Sequence, residues 1–251
     1  MGHRDERLDA GGGVRHVVWD WNGTLFDDHT EVVAAINDAL ALLSLPPIDS
    51  DTFRTHFTRP VERFYEQVAG RPIEPGEWHT LDEAYHDSYS ARLERLQLAP
   101  DAWAALAAAE TAGLTQSLLS MWRHQDLVSL VGRLGIGRFF RRVDGLRAPG
   151  GGGKTEHLVA HLAALEVEPS AAVLVGDALD DLAAARAVGA RCILYDGGAH
   201  HRHALEATGI PVVDTLTAAV AVVTAVQPVR PGHARSHVDD PHPHCRPGHP
   251  R

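Results

Sequence analysis

Residues 16–28, His16-Val17-Val18-Trp19-Asp20-Trp21-Asn22-Gly23-Thr24-Leu25-Phe26-Asp27-Asp28 (HVVWDWNGTLFDD), admit two readings. Asn-Gly between alternating apolar residues is the strongest short-range signal for a β-hairpin, and a hairpin would imply no chemistry. Alternatively, 14–20 (VRHVVWD) is a buried strand whose last residue, Asp20, is a carboxylate placed to act as a nucleophile. The rest of the chain has to choose between them.

From residue 30 to 99 the pattern is helix after helix, in TEVVAAINDALALL, DTFRTHFTRPVERFYEQVA and EWHTLDEAYHDSYSARLERLQL. Pro46-Pro47, Pro72 and Pro75 punctuate these runs. From Pro100 helices and strands alternate: DAWAALAAAETAG then LTQSLLS, HQDLVSLVGRLG then RVDGL, KTEHLVAHLAALEV then AAVLVGD, DLAAARAVG then ARCILYD. Val212-Val213 adds a short strand. Alternation of this kind predicts an α/β fold with a doubly wound parallel sheet, and the helical block after the first strand reads as an inserted α-helical cap domain. The expected division is a flexible N-terminus at 1–13, a core at 14–28 and 100–227, a cap at 29–99 and a disordered His/Pro-rich tail at 228–251.

Composition narrows the function. An apolar fraction of 44% and a charged fraction of 22% over 251 residues describe a soluble globular protein. Apolar runs fall well short of the about 18 residues of a membrane span. The polar start (MGHRDERLDAGGG) predicts no signal peptide, and Cys192 and Cys245 alone make neither a disulfide framework nor a cysteine metal site. A cytoplasmic chain with no membrane partner is expected. The net charge of −10 lacks the basic cluster of a nucleic-acid binder, so a small anionic partner would need local positive groups. Lys154 is the only lysine, every other fixed cation being arginine, which hints that position 154 needs an ammonium.

Ligands of open α/β sheets bind at the carboxyl ends of the strands. Four predicted strand ends carry polar groups, Asp20, Ser120, Asp144 and Asp177, and Lys154 opens the helix before the fourth strand. A hairpin leaves these coincidences unexplained, whereas a phosphoryl-transfer site uses nearly all of them. The set resembles the haloacid dehalogenase superfamily of hydrolases. Its D-x-D-G-T-hydrophobic motif is matched by Asp20-Trp21-Asn22-Gly23-Thr24-Leu25, its strand-end Ser/Thr by Ser120, its lysine by Lys154, and its G-D-x-x-x-D by Gly176 to Asp181. The helical insertion, with FTRPVERFYEQVAG, looks like the phosphoglycolate phosphatase-like branch.

The resemblance implies a Mg²⁺-dependent phosphatase of a small phosphorylated metabolite, phosphoglycolate-like or a sugar phosphate. Asp20 would attack phosphorus and form an aspartyl-phosphate. Asp20, the backbone carbonyl of Asn22, Asp177 and Asp181 would serve the metal, with Asp180 able to share the last role. Lys154 would neutralise the nucleophile and the phosphate. Ser120 and the backbone N–H groups around Gly23 and Thr24 would bind phosphate oxygens. Oligomeric state is open.

Asn22 departs from the motif. In the family's phosphatases the second Asp protonates the leaving group and activates water, which an amide cannot do. Either the leaving group is acidic enough to depart unassisted, or His29 or a cap side chain supplies the proton, or the protein binds phosphate compounds and turns them over poorly. This last alternative is an attenuated phosphate-binding or regulatory protein. Other signals read as ordinary structure. PGGGGKT lacks the glycine that a P-loop needs at Ala148. His157 and His161 read as a solvated pair, His200-His201-Arg202-His203 as a surface turn, and Asp27, Asp28 and one of Asp180 and Asp181 as helix caps. Arg59, Arg63 and Tyr65 could close over a substrate.

Overall fold

The computed structural model describes residues 13–147 and 152–225, so the expectations for the two termini and for Ala148 lie outside the described residues. β1 (His16–Trp19) is buried at all four positions, as a strand covered by helices on both faces must be. Next come β2 (Phe26–Asp27), α1 (His29–Leu42), α2 (Ser50–His56), α3 (Val61–Ala69), α4 (Pro75–Arg92) and β3 (Gln97–Leu98). The alternating part follows as α5 (Ala102–Thr111), β4 (Thr115–Arg123), α6 (His124–Arg133), β5 (Val143–Leu146), α7 (Lys154–Leu165) and β6 (Ala172–Gly176). It closes with α8 (Leu179–Val188), β7 (Arg191–Tyr195), α9 (Arg202–Glu206), β8 (Val212–Val213) and α10 (Leu216–Ala225).

The sheet runs β5-β4-β1-β6-β7-β8, with every neighbouring pair parallel. The strand order reverses at β1, which lies between β4 and β6. Asp20 follows β1 and Asp177 follows β6, so both carboxylates stand at the switch point where this architecture binds ligands. β4 runs three residues past Ser120, with a break in its register to β5 between Leu119 and Arg123.

Local chemistry sets the helix boundaries. The run 51–69 is two helices because Pro60, at the N-cap of α3, cannot continue the first. Asp49 starts α2 by accepting the Thr52 N–H at 2.8 Å, and Gly70, at φ +67°, ends α3. α4 begins at Pro75, two residues earlier than the periodicity implies, because Glu74 and Glu77 form a capping box there. Phe53, Phe64, Tyr65 and Leu81 bury a common apolar centre among α1 to α4, and Ala178 and Ala199 join it from the sheet side. β2 and β3 pair antiparallel, Phe26 opposite Leu98, where the chain leaves the sheet for these helices and returns.

His161 is not solvated. It shares the buried face of α7 with Leu158, Leu162 and Leu165, while His157 sits half-buried to one side. Asp144 is not at the switch point either, because β5 lies at the sheet edge beyond β4. Its carboxylate instead takes the His161 Nδ1 at 2.8 Å, with Arg142 beside it. The His161 Nε2 meets the Ser117 hydroxyl at 2.8 Å, and the same hydroxyl meets the His16 Nε2 at 2.7 Å. The His16 Nδ1 reaches the Thr115 hydroxyl at 2.7 Å, which completes a polar chain through the core.

Burial pushes the His16 pKa down to about 4, and burial lowers that of His161 against the pull of Asp144. Both rings stay neutral in the fold, whereas an unfolded chain protonates them below about 6.5. Their contribution is complete above that pH and is lost on acidification, that of His16 as pH falls towards 4. Thermal unfolding should therefore show a stability loss on the order of 2 kcal/mol between pH 7 and pH 5 from His16. His16→Gln should be less stable at pH 7 but lose visibly less on acidification; an unchanged acid slope would contradict this assignment.

Candidate active site

Asp20, Asp177 and Asp181 are buried, and one carboxylate oxygen of each lies within 4.8 Å of the others. The Lys154 ammonium, at the start of α7, contacts Asp20 Oδ1 at 2.5 Å and pairs with Asp181 Oδ1 as well. Asp181 also caps α8, its Oδ2 accepting the Ala178 N–H at 3.0 Å, so the capping role expected of Asp180 or Asp181 and the contact with Lys154 fall to one residue. Asp180 turns to Arg59, at 3.0 Å from its guanidinium, and so links the loop between α2 and α3 to α8.

The charges do not balance. Three carboxylates face one ammonium, and buried charge is tolerated only when paired. Burial raises the Asp20 pKa to about 6 against the pull of Lys154, and burial and mutual repulsion raise those of Asp177 and Asp181. Burial alone would drive Lys154 towards neutrality, but the carboxylates of Asp181, Asp20 and Asp180 hold it charged. The two surplus negative charges and the hard oxygen donors fit a divalent cation of the Mg²⁺ type.

The 21–28 turn is wound around this cluster. Gly23 adopts φ +69°, and a Cβ there would meet Asp177 Oδ2 at 2.6 Å, so only glycine fits. The Thr24 hydroxyl, fully buried, donates to Asp177 Oδ1 at 3.0 Å, and the Ala199 N–H donates to Asp177 Oδ2 at 2.6 Å. The backbone donors around Gly23 and Thr24 differ from expectation. The Gly23 N–H goes to Phe26 O and Asp28 Oδ1, and the Thr24 N–H to Trp21 O, so the turn itself consumes them. The hairpin signal was thus partly true, because Asn-Gly does make a tight turn, but at the end of a parallel strand.

Asn22 is held by residues the sequence did not single out for it. Its Nδ2 donates to Asp28 Oδ2 at 2.6 Å and to the Tyr89 hydroxyl at 2.8 Å, and that hydroxyl donates to Asp28 Oδ2 at 2.6 Å. Asp28 stands at the N-terminus of α1, yet its side chain makes no capping bond. Both its oxygens serve the turn, although burial pushes its pKa up. The Asn22 carbonyl oxygen is left facing the Ser120 hydroxyl at 3.5 Å, and that hydroxyl accepts the Trp122 N–H at 3.0 Å. His29, a candidate proton donor, packs edge-on against Phe53, with its Nε2 buried and unpartnered and its pKa pushed by burial down to about 4.

A cavity of about 790 Å³ opens onto Asp20, Lys154, Ser120 and Asp177 from the side of α1 to α4. Arg59 and Tyr65 line it; Arg63 does not, and lies exposed. His200 is buried rather than part of a surface turn, while α9 begins two residues later. Among the described residues no helix is long and apolar enough to cross a membrane.

A parallel sheet carrying an acid at the tip of β1, an acid pair after β6 and a lysine between defines a hydrolase of the haloacid dehalogenase type. The family model for haloacid dehalogenase-like hydrolases matches residues 14–189, and the chain belongs to that family. Among curated proteins it is similar to the phosphoglycolate phosphatase of Caulobacter vibrioides, 28% identical over 187 residues, covering 72% of this chain and 79% of that one. It is also similar to the phosphoglycolate phosphatase of Mesorhizobium japonicum, 25% identical over 217 residues, covering 82% and 94%. Among solved structures, a haloacid dehalogenase-like hydrolase from Streptococcus pneumoniae superposes with a TM-score of 0.72 at 19% identity, over 83% of this chain and 98% of the other. CbbY from Rhodobacter sphaeroides in complex with phosphate gives 0.63 at 20% identity, over 81% and 95%.

Proposed function

We propose that the protein is a Mg²⁺-dependent phosphatase of a small phosphorylated metabolite. The observation that carries the reading is the contact of one ammonium, Lys154, with both Asp20 and Asp181, in a carboxylate cluster left two charges too negative. Asp20 is the nucleophile: an oxygen of its carboxylate forms a bond to phosphorus as the ester bond breaks, giving an aspartyl-phosphate that water then hydrolyses. Lys154 keeps Asp20 ionised and offsets charge on the phosphoryl oxygens. Ser120 binds one of those oxygens. Asp20, Asp177, Asp181 and the backbone carbonyl of Asn22 would hold the cation, which when bound neutralises the transferred group. Residues 29–99 act as the cap that excludes water and selects the leaving group.

The fixed amide of Asn22 favours one other reading, a binding protein with weak turnover. Phosphate release from a substrate panel separates the two. Release that depends on added Mg²⁺ and stops with a chelator is the expected result. Saturable phosphate-ester binding without release would support the binding protein.

A further inference from the structure

The proposed phosphatase reading leaves the leaving group unnamed, and two independent features of this chain constrain it. The first is that, among the described residues, no side chain beside Asp20 is placed to give a proton. Asn22 presents an amide whose nitrogen is committed to Asp28 and Tyr89. Both Asp28 oxygens are taken by donors from Gly23, Asn22 and Tyr89. His29 keeps its Nε2 sealed in the protein rather than open to the cavity. An ester whose leaving group needs protonation would therefore react slowly here.

The second feature is the lining of the cavity onto which Asp20 opens. Its volume of about 790 Å³ far exceeds a two-carbon acid, and Phe53, Phe57, Tyr65, Trp78, Tyr85 and Trp122 are among its lining residues. Among the described residues lining the cavity, the cations that could receive a carboxylate are already paired: Lys154 with Asp20 and Asp181, Arg59 with Asp180. His29 and His86 also line the space, and burial favours their neutral forms. Glu62 and Asp82 line the same cavity and would repel a substrate whose leaving group already carries a carboxylate. Aromatic walls favour a flat, apolar partner of low charge.

Together the geometry points to phosphate monoesters of aryl alcohols as the substrate class, with an aromatic leaving group that departs as its own anion. This inference rests on the phosphatase reading. In the first step Asp20 Oδ bonds to phosphorus, the phosphorus–aryloxide bond breaks, and the electron pair leaves with the aryloxide, which takes a proton from solvent. In the second, water bonds to phosphorus, the bond to Asp20 breaks with its electron pair returning to the carboxylate, and the water protons pass to solvent. Aryl alcohols ionise near the tyrosine value of about 10, whereas alkyl alcohols lie nearer the water value of about 15.7. The unassisted route is open to the first group and nearly closed to the second.

The test uses the full chain with Mg²⁺ and measures phosphate release from a graded series of substituted phenyl phosphates, beside phosphoglycolate and glycerol phosphate. The expected result is a steep rise in kcat/KM as the phenol becomes more acidic, with the alkyl esters at least on the order of 10²-fold poorer, the span general-acid help usually covers. A flat dependence, as a cap carboxylate donating a proton would give, overturns the inference, as does phosphoglycolate being turned over as well as the aryl esters. Both outcomes leave the phosphatase reading standing. No release from any ester overturns that reading and this inference together.

Discussion

Asp20→Asn is expected to lower phosphate release by on the order of 10⁴-fold or more, the scale on which removal of an attacking group is felt. The amide has no anionic oxygen to bond phosphorus. The substitution should also stabilise the metal-free protein near pH 8, because it removes one of three crowded buried carboxylates while Lys154 keeps Asp181 as a partner. Paired measurements of release rate and thermal unfolding check both halves. A variant within tenfold of the parent rate would remove Asp20 from the chemistry, and a variant that loses activity by unfolding would fail the second half.

The other large effect concerns Asn22. A carboxylate introduced there alone would meet Asp28, whose Oδ2 stands 2.6 Å from the present amide nitrogen. Two carboxylates at hydrogen-bond distance repel by several kcal/mol at the effective dielectric of a protein site. Asn22→Asp is therefore expected to gain at most a few fold on an alkyl ester and to lose thermal stability. Asn22→Asp combined with Asp28→Asn turns the pair around, restores a hydrogen bond across it and frees a titratable group. That double variant should gain on the order of 10²-fold on alkyl phosphates and acquire an alkaline limb in its pH–rate profile, the rate falling as the new group loses the proton it must give. Equal gains for the single and double variants would show that Asp28 does not constrain position 22.

How much of this was legible beforehand follows from which signals are local. The strand ending at Asp20, the lysine at 154 and the acids at 177 and 181 are marked by residue type and order along the chain, and the sheet gathers all four. The partners of Asn22 carry no such mark. Tyr89 lies 67 residues away on α4, with the spacing of an ordinary core aromatic, and only the packing of α1 on α4 brings it to the turn. Asp28 resembled a helix cap because it stands at a helix start; its diversion to Gly23 and Asn22 depends on how tightly residues 21–28 are wound. The burial of His161 is hidden from the sequence for a related reason. The i, i+4 spacing puts His157 near the same face, but helix rotation decides which ring enters the core, and the hydroxyl and carboxylate that receive it come from β4 and β5. The paired strands β2 and β3 are two residues each, too short for periodicity to reveal.

If Asn22 cannot activate water, breakdown of the covalent intermediate should be slow, and the intermediate should accumulate during turnover of an aryl ester. Acid quenching, reduction with borohydride and peptide mass analysis would convert an aspartyl-phosphate into homoserine at its own position. Homoserine at position 20, formed only when Mg²⁺ and substrate are both present, is the predicted outcome. Phosphate release at full rate with position 20 unmodified, or with the label on another side chain, would contradict the assignment of the covalent step to this site.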